Sequence, residues 1–408
     1  MGLAHQLAKS DFPSPHNHNS FTCPSKTPGS VIQYRYTEPS EEYVMLNAEQ
    51  MKKVVALRHT LHDCPERSGR EVRTMATIRA FLEANTSLEI RDMGGWLLAT
   101  HFEGVGLAAV GFRADMDALP VGHEAGARHG CGHDGHSAML CALGLLLEGR
   151  RVGRNVHLIF QAAEETGEGA RAVIDSWPEL KSLRAVYALH NIPGFPKGAV
   201  LMRRGCFSCA SCGHVVHVQG RPAHAAYPED GANPTELMCR LTLAMPEMIG
   251  DVLGGDDRLL MRTPIGLNVG GEDFGISAHE GRLSQTLRGH RRADIDALIQ
   301  KIEARARTDC REAGMRCDFE LRDAFPDTTN DDAVFDDAMK RFEAAGLPVR
   351  ILDEPMRWSE DFGWLLKEVP GVYFGIGAGE NWPGLHTEGF EFDDGLIEVG
   401  VRAFEALL

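Results

Sequence analysis

Apolar residues fall into a regular pattern only from Met45 onward. Met51, Val54, Val55, Leu57 and Leu61 recur at the three- and four-residue steps of a helix, Pro65 interrupts them, and a second helical stretch runs through Leu82. Positions 88–93, 96–102 and 107–116 are short β-like runs. After the glycine-rich HGCGHDGH, the apolar residues Met139, Leu140, Leu143, Leu146 and Leu147 predict a helix. Positions 156–165 then read as a buried strand running into a loop, and 185–192 as another strand. Strands alternating with helices predict an α/β protein with a mixed, mostly parallel sheet and helices on both faces.

The rhythm changes in the middle of the chain. Positions 206–219 read as a strand, 232–250 as a helix, 258–270 and 281–289 as strands, 292–313 as a helix and 315–323 as a strand. The order β-α-β-β-α-β predicts an inserted ferredoxin-like α+β lid domain over 205–323. A two-domain chain follows, with 45–204 and 324–408 forming the first domain. The last part returns to α/β, with a helix over 335–346, a strand over 371–379 and a closing helix over 395–408. Residues 1–44 are rich in Ser, Pro, His, Asn and Thr and have no apolar period, so they read either as a disordered tail or as an extension upstream of a true start at Met45. His16 to His18 lie in this segment and read as solvated.

Composition narrows the function. A net charge of −16 argues against nucleic acid and anionic membrane as partners. No apolar run approaches the roughly 20 residues of a membrane span. The ten cysteines are scattered rather than densely paired, and the N-terminal residues lack the apolar core of a signal peptide, so the expected location is cytoplasmic.

Six side chains able to bind metal sit at predicted element ends of the first domain: Cys131, His133, Glu164, Glu165, His190 and His386. In an α/β sheet the carboxyl ends of the strands converge on one rim. Glu164 and Glu165 follow one strand and His190 another, which predicts a shared rim. Thiolate, imidazole and carboxylate together suit a hydrolytic metal site. Two neighbouring ions can acidify a shared water and polarise a carbonyl. A carboxylate not spent on the ions must then carry the proton, and a Glu-Glu pair can divide that labour.

HGCGHDGHSAM, QAAEETGEGA, LHNIPGFPKG and LHTEGFEFDD, in that order, resemble the amidohydrolase branch of the aminoacylase and carboxypeptidase-G-like metallopeptidases, which includes hippurate hydrolases and indole-acetyl-amino-acid hydrolases. LRHTLHDCPERSGREVRT and GFRADMDALPV are similar to its opening motifs, so the resemblance spans about residues 47–408. It implies that Cys131, His133, Glu165, His190 and His386 bind two divalent ions, zinc or manganese, and that Glu164 is the general acid/base. It further implies that Asp115 and Asp117 orient ligating imidazoles, Asp117 the better candidate, and that His136 is a further motif histidine with either a packing or a site role. GRPAHAAYPEDGANP resembles the lid motif, which would make His224 the donor to the developing oxyanion, from this subunit or a partner's lid. Arg288 stands where relatives present an arginine near the substrate carboxylate, and SEDFG at 359–363 resembles a motif near the pocket whose role reads as structural.

Two features depart from the family pattern. Arg128 and Gly130 replace the usual Met and Ala around the Cys-Gly-His core, and the loop from Val121 to Arg128 is short, which puts the substrate in question rather than the chemistry. Cys206, Cys209 and Cys212 are spaced like part of an iron–sulfur run but lack the fourth Cys-Pro, so they read as packing. GVGLAAVG lacks the spacing of a dinucleotide loop. The expected activity is hydrolysis of the amide bond of an N-acyl amino acid or related small amide, and the resemblance implies a homodimer. A dipeptidase or aminopeptidase with the same two ions, and a non-catalytic metal-binding protein on the same scaffold, are the alternatives.

Overall fold

The computed structural model describes residues 44–122 and 126–408. The expectation for residues 1–43, and part of the short loop before Arg128, lie outside the described residues. The strands in chain order are β1 (Glu89–Asp92), β2 (Leu97–His101), β3 (Ala109–Asp115), β4 (Leu119–Val121), β5 (Gly126–Arg128), β6 (Asn155–Gln161), β7 (Ala185–Pro193), β8 (Val200–Met202), β9 (Gly205–Ser208), β10 (Ala210–Gln219), β11 (Leu260–Val269), β12 (Glu280–Gly289), β13 (Arg316–Phe325), β14 (Thr328–Asn330), β15 (Val349–Ile351) and β16 (Gly371–Gly379). The α-helices are α1 (Ala48–His62), α2 (Val72–Asn85), α3 (His133–Leu147), α4 (Gly169–Ser176), α5 (Thr235–Leu243), α6 (Met245–Leu253), α7 (Arg292–Glu312), α8 (Asp332–Ala344), α9 (Gly363–Leu366) and α10 (Ile397–Ala406).

Eight strands form one mixed sheet in the order β1-β2-β6-β3-β7-β16-β8-β15. Its centre, from β6 through β3 and β7 to β16, is parallel. Alternate residues of each central strand enter opposite cores. Val110 and Phe112 of β3, Leu158 and Phe160 of β6, and Tyr187 and Leu189 of β7 pack under α1, α2, α3, α8 and α10. Ile159, Val186 and Ala188 face the other way, against α4, α9 and Trp177. Both faces are therefore covered, as a parallel sheet requires.

β10 to β13 form a separate four-stranded antiparallel sheet in the order β11-β12-β10-β13, with α5, α6 and α7 packed in its own core. This is ferredoxin-like topology. Three local expectations are corrected. The strand expected over 206–219 is two strands, because Cys209 turns its backbone N–H to the carbonyls of Met356 (3.0 Å) and Trp358 (3.2 Å); β9 then pairs with β14 instead of the four-stranded sheet. The helix expected over 232–250 is split at Met245, where Pro246 restarts it, since proline lacks the N–H an interior position needs. His190 lies inside β7 rather than after it, because pairing with β16 carries the strand on to Pro193.

Candidate metal centre

The helix expected after the glycine-rich motif begins within it. Gly132 caps α3 with φ at 100°, a conformation that favours glycine, and a Cβ there would lie 2.3 Å from Asn191 Oδ1. This glycine lets Cys131 and His133 turn inward side by side over β7. Cys131 Sγ lies 3.3 Å from both His190 Nε2 and His386 Nε2. Glu165 Oε1 is 3.8 Å from His133 Nε2 and 3.6 Å from His386 Nε2. Three overlapping groups result, each with its ligand atoms within 4.8 Å: Cys131 with His133 and His190, Cys131 with Glu165 and His386, and His133 with Glu164 and Glu165. Residues from four distant stretches of chain thus meet on one rim.

A further layer fixes these side chains. Asp117 faces His133 Nδ1 at 3.1 Å with one oxygen and accepts from Ser68 Oγ (2.7 Å) and the Glu165 backbone N–H (3.1 Å) with the other. Asp115 binds His136 Nδ1 at 2.6 Å and lies 3.8 Å from His133 Nε2. His136 Nε2 is 2.6 Å from Asn191 Oδ1, so both of its ring nitrogens are spent on protein groups. His190 Nδ1 lies 2.7 Å from the Asn191 carbonyl, which directs Nε2 toward Cys131. His386 has φ at 64°, a strained conformation away from glycine. Its N–H donates to the Gly130 carbonyl at 2.8 Å, and the Arg128 guanidinium holds the loop behind it through the carbonyls of Thr387 and Phe390.

The electrostatics describe a site short of positive charge. Burial, then the charges of Glu360, Glu165 and Asp361, push the Glu164 carboxyl well above the usual carboxylate range. Burial pushes Glu165 up to about 7, opposed by His133. Burial and the Glu165 charge push the Cys131 thiol well up. Burial works against charge on His133, but Asp115 and the neighbouring thiol outweigh it and hold the imidazole well above its ordinary range. Six buried or nearly buried carboxylates (Asp115, Asp117, Glu164, Glu165, Glu360 and Asp361) share this region with Arg113. His133 Nε2 and Glu165 Oε1 are buried with no hydrogen-bond partner. Orphaned donor atoms, a thiol and excess carboxylate are what divalent ions would satisfy, so the residues fit the metal the sequence implies.

The two residues of the inserted unit lie elsewhere. His224 is exposed, with Nδ1 accepting from the Ala226 N–H at 3.0 Å and its backbone bridged to Ile276. Among the described residues, no hydrogen bond or ion pair joins it to the cluster. Arg288 reaches the segment between β15 and α9, donating to Ser359 Oγ at 2.8 Å and to the Arg357 carbonyl. Cys212 lies in the core of the inserted unit, and the half-buried Cys206 donates to the Ser208 carbonyl. Nothing in the sequence assigns these roles to Asn191, Ser68, Arg113 or the Glu360-Asp361 pair. Only SEDF carried a signal, and that motif read as structural.

The description Peptidase family M20/M25/M40 matches residues 111–408, most of the chain. The chain belongs to this family and is by class a hydrolase of amide bonds. It is 27% identical over 385 residues to the N-acetyldiaminopimelate deacetylase of Shouchella clausii, covering 88% of this chain and 98% of the relative. It is also 27% identical over 363 residues to the N-acetyl-L-cysteine deacetylase of Bacillus subtilis, covering 85% of each. The Bacillus subtilis YXEP protein, a dinuclear metal binding peptidase, shares the fold with a TM-score of 0.72 at 22% identity, covering 89% of this chain and 98% of that one. Among the described residues no helix is long and apolar enough to cross a membrane.

Proposed function

We propose that the chain hydrolyses the amide bond of N-acyl amino acids, using two divalent ions, zinc or manganese, held by Cys131, His133, Glu165, His190 and His386. The observation that carries this reading is a pair of buried atoms with no hydrogen bond, His133 Nε2 and Glu165 Oε1, beside the Cys131 thiol and next to Glu164. A bound ion pair polarises the substrate carbonyl and acidifies water. Glu164 takes the water proton and delivers it to the departing amine; it is buried and is not needed to complete either Cys131 group. Asp117 aligns His133 and Glu165, and Asp115 fixes His136. His224 donates to the developing oxyanion. Because it is exposed on the inserted unit, it arrives by movement of that unit or from a second copy of the chain.

The deacetylase relatives support a small acyl group on an amino acid as substrate. A homodimer through the inserted unit is favoured by its edge strand β11, which exposes Ile265 and Leu267, and by Phe274 and Ile276, exposed in the stretch between β11 and β12. A ligating thiolate favours a reducing compartment, the cytoplasm. The test is product analysis by mass spectrometry after loading the protein with zinc or manganese and supplying acetylated and benzoylated amino acids beside free dipeptides. Release of the free amino acid from acylated substrates is expected. Cleavage of unblocked dipeptides alone would make it a dipeptidase, and metal binding with no turnover would make it a binding protein.

A further inference from the structure

The loop carrying Glu164 and Glu165 runs from Gln161, the last residue of β6, to Gly169, the first of α4. A single carboxylate from a distant part of the chain grips both of its ends. Asp361 accepts from Gln161 Nε2 at 2.8 and 2.9 Å and from the Ala170 N–H at 2.8 Å. The backbone N–H of Asp361 donates in turn to Glu164 Oε1 at 3.3 Å. The grip matters because Ala163, the residue before Glu164, has φ at 55°, which alanine disfavours. A loop held only by its own preferences would relax out of that conformation and take Glu164 with it.

Asp361 is itself anchored. Arg113 sends Nη2 to Asp361 at 2.9 Å and to Glu360 at 3.0 Å, Nη1 to Asp115 at 2.7 Å and Nε to Gln161 Oε1 at 3.0 Å. Tyr373 donates its hydroxyl to Glu360 at 2.6 Å and closes the far side. Arg113, Glu360 and Asp361 are all at most 1% exposed. An apolar filling would avoid the desolvation of so many charges, so the set is better explained by placement than by stability. Its one guanidinium ties Asp115, on the histidine side of the centre, to the clamp on the Glu164 side.

We propose that Asp361, backed by Arg113, is a positioning residue that holds the catalytic carboxylate Glu164 in register with the metal-ligating histidines. This rests on the assignment of Glu164 as the base. The test compares kcat, KM and metal content for Asp361→Asn, Arg113→Lys and Glu164→Gln, and for Asp361→Asn combined with Glu164→Gln. Asparagine keeps the shape but presents an amide to donors, and lysine keeps the charge but loses the planar fork. Asp361→Asn and Arg113→Lys are each expected to lower kcat by about 10- to 100-fold, the scale of a displaced catalytic group, with KM and metal content unchanged. In the Glu164→Gln background, Asp361→Asn is expected to cause no further loss, because its effect runs through that carboxylate. Wild-type kcat in Asp361→Asn beside an inactive Glu164→Gln overturns the proposal alone. So does an equal fold-loss in both backgrounds. Full activity in Glu164→Gln removes the base assignment first and the positioning role with it. Should Asp361→Asn fail to fold, Arg113→Lys and Glu360→Gln carry the same comparison.

Discussion

The rim of the large sheet and the inserted four-stranded unit treat their polar residues in opposite ways. On the rim, Cys131, His133 and His190 are buried, and each histidine has one ring nitrogen fixed by a protein oxygen while the other points inward. On the inserted unit, His224 is exposed and spends its Nδ1 on a local turn, and β11 presents apolar side chains to solvent. One region is built in advance, and the other carries a histidine that, under the proposed function, would have to be delivered. The difference fits a division in which binding of ions is rigid and completion of the site depends on movement or on a second copy.

The largest effect that sharpens this comparison belongs to the rim. Glu164→Gln is expected to reduce turnover by about 10²- to 10⁴-fold while metal content, measured by plasma mass spectrometry, stays at the wild-type level. Next comes His224, the proposed oxyanion donor. His224→Ala is expected to lower kcat by about 10²- to 10³-fold, the usual scale for a lost oxyanion donor, with melting temperature and metal content unchanged. A fall in metal content in that variant would break the comparison, since it would make His224 part of the preformed centre.

The fold was legible where the physics is local. The period of Met51 to Leu61, the alternation in β3, β6 and β7 and the β-α-β-β-α-β order all follow from which faces must be buried, and the chain carries those patterns openly. What stayed hidden depends on contacts between distant segments. Nothing local marks the break at Cys209, which exists because Met356 and Trp358 offer carbonyls to its N–H. Nothing near Arg113 announces partners 248 positions away in SEDF. The candidate metal-binding side chains were visible as motifs, but the contacts that hold their geometry were not. Asn191, for example, lies in the strand read over 185–192 with no sign of a role, yet its carbonyl orients His190 and its side chain meets His136.

Smaller effects test how far the rim is built in advance. Gly132→Ala forces a Cβ against Asn191 at a left-handed position, and a loss of about 2–3 kcal/mol is expected in denaturant unfolding, with reduced metal affinity. A neutral result there would mean that the turn beneath Cys131 is more yielding than its contacts imply. The smallest effect concerns His62, whose Nδ1 lies 2.8 Å from Asp134 Oδ2, beside His133 in the chain. The hydrogen bond to Asp134 raises the His62 pKa against the opposing effect of burial. The stability this contributes is full below the unfolded value near 6.5 and is lost as pH rises through the higher folded value. His62→Ala should therefore flatten the pH dependence of the unfolding free energy as pH rises above about 6.5, by under about 1 kcal/mol for this partly exposed pair.

The central claim is that the side chains gathered around Cys131 are a two-ion hydrolytic centre. It is tested most directly by counting divalent ions per chain in one preparation while its hydrolysis of an acylated amino acid is followed before chelation, after chelation and after metal is restored. Two ions per chain, loss of turnover when they are removed and recovery when they return are expected. Undiminished turnover in the metal-stripped protein would contradict it.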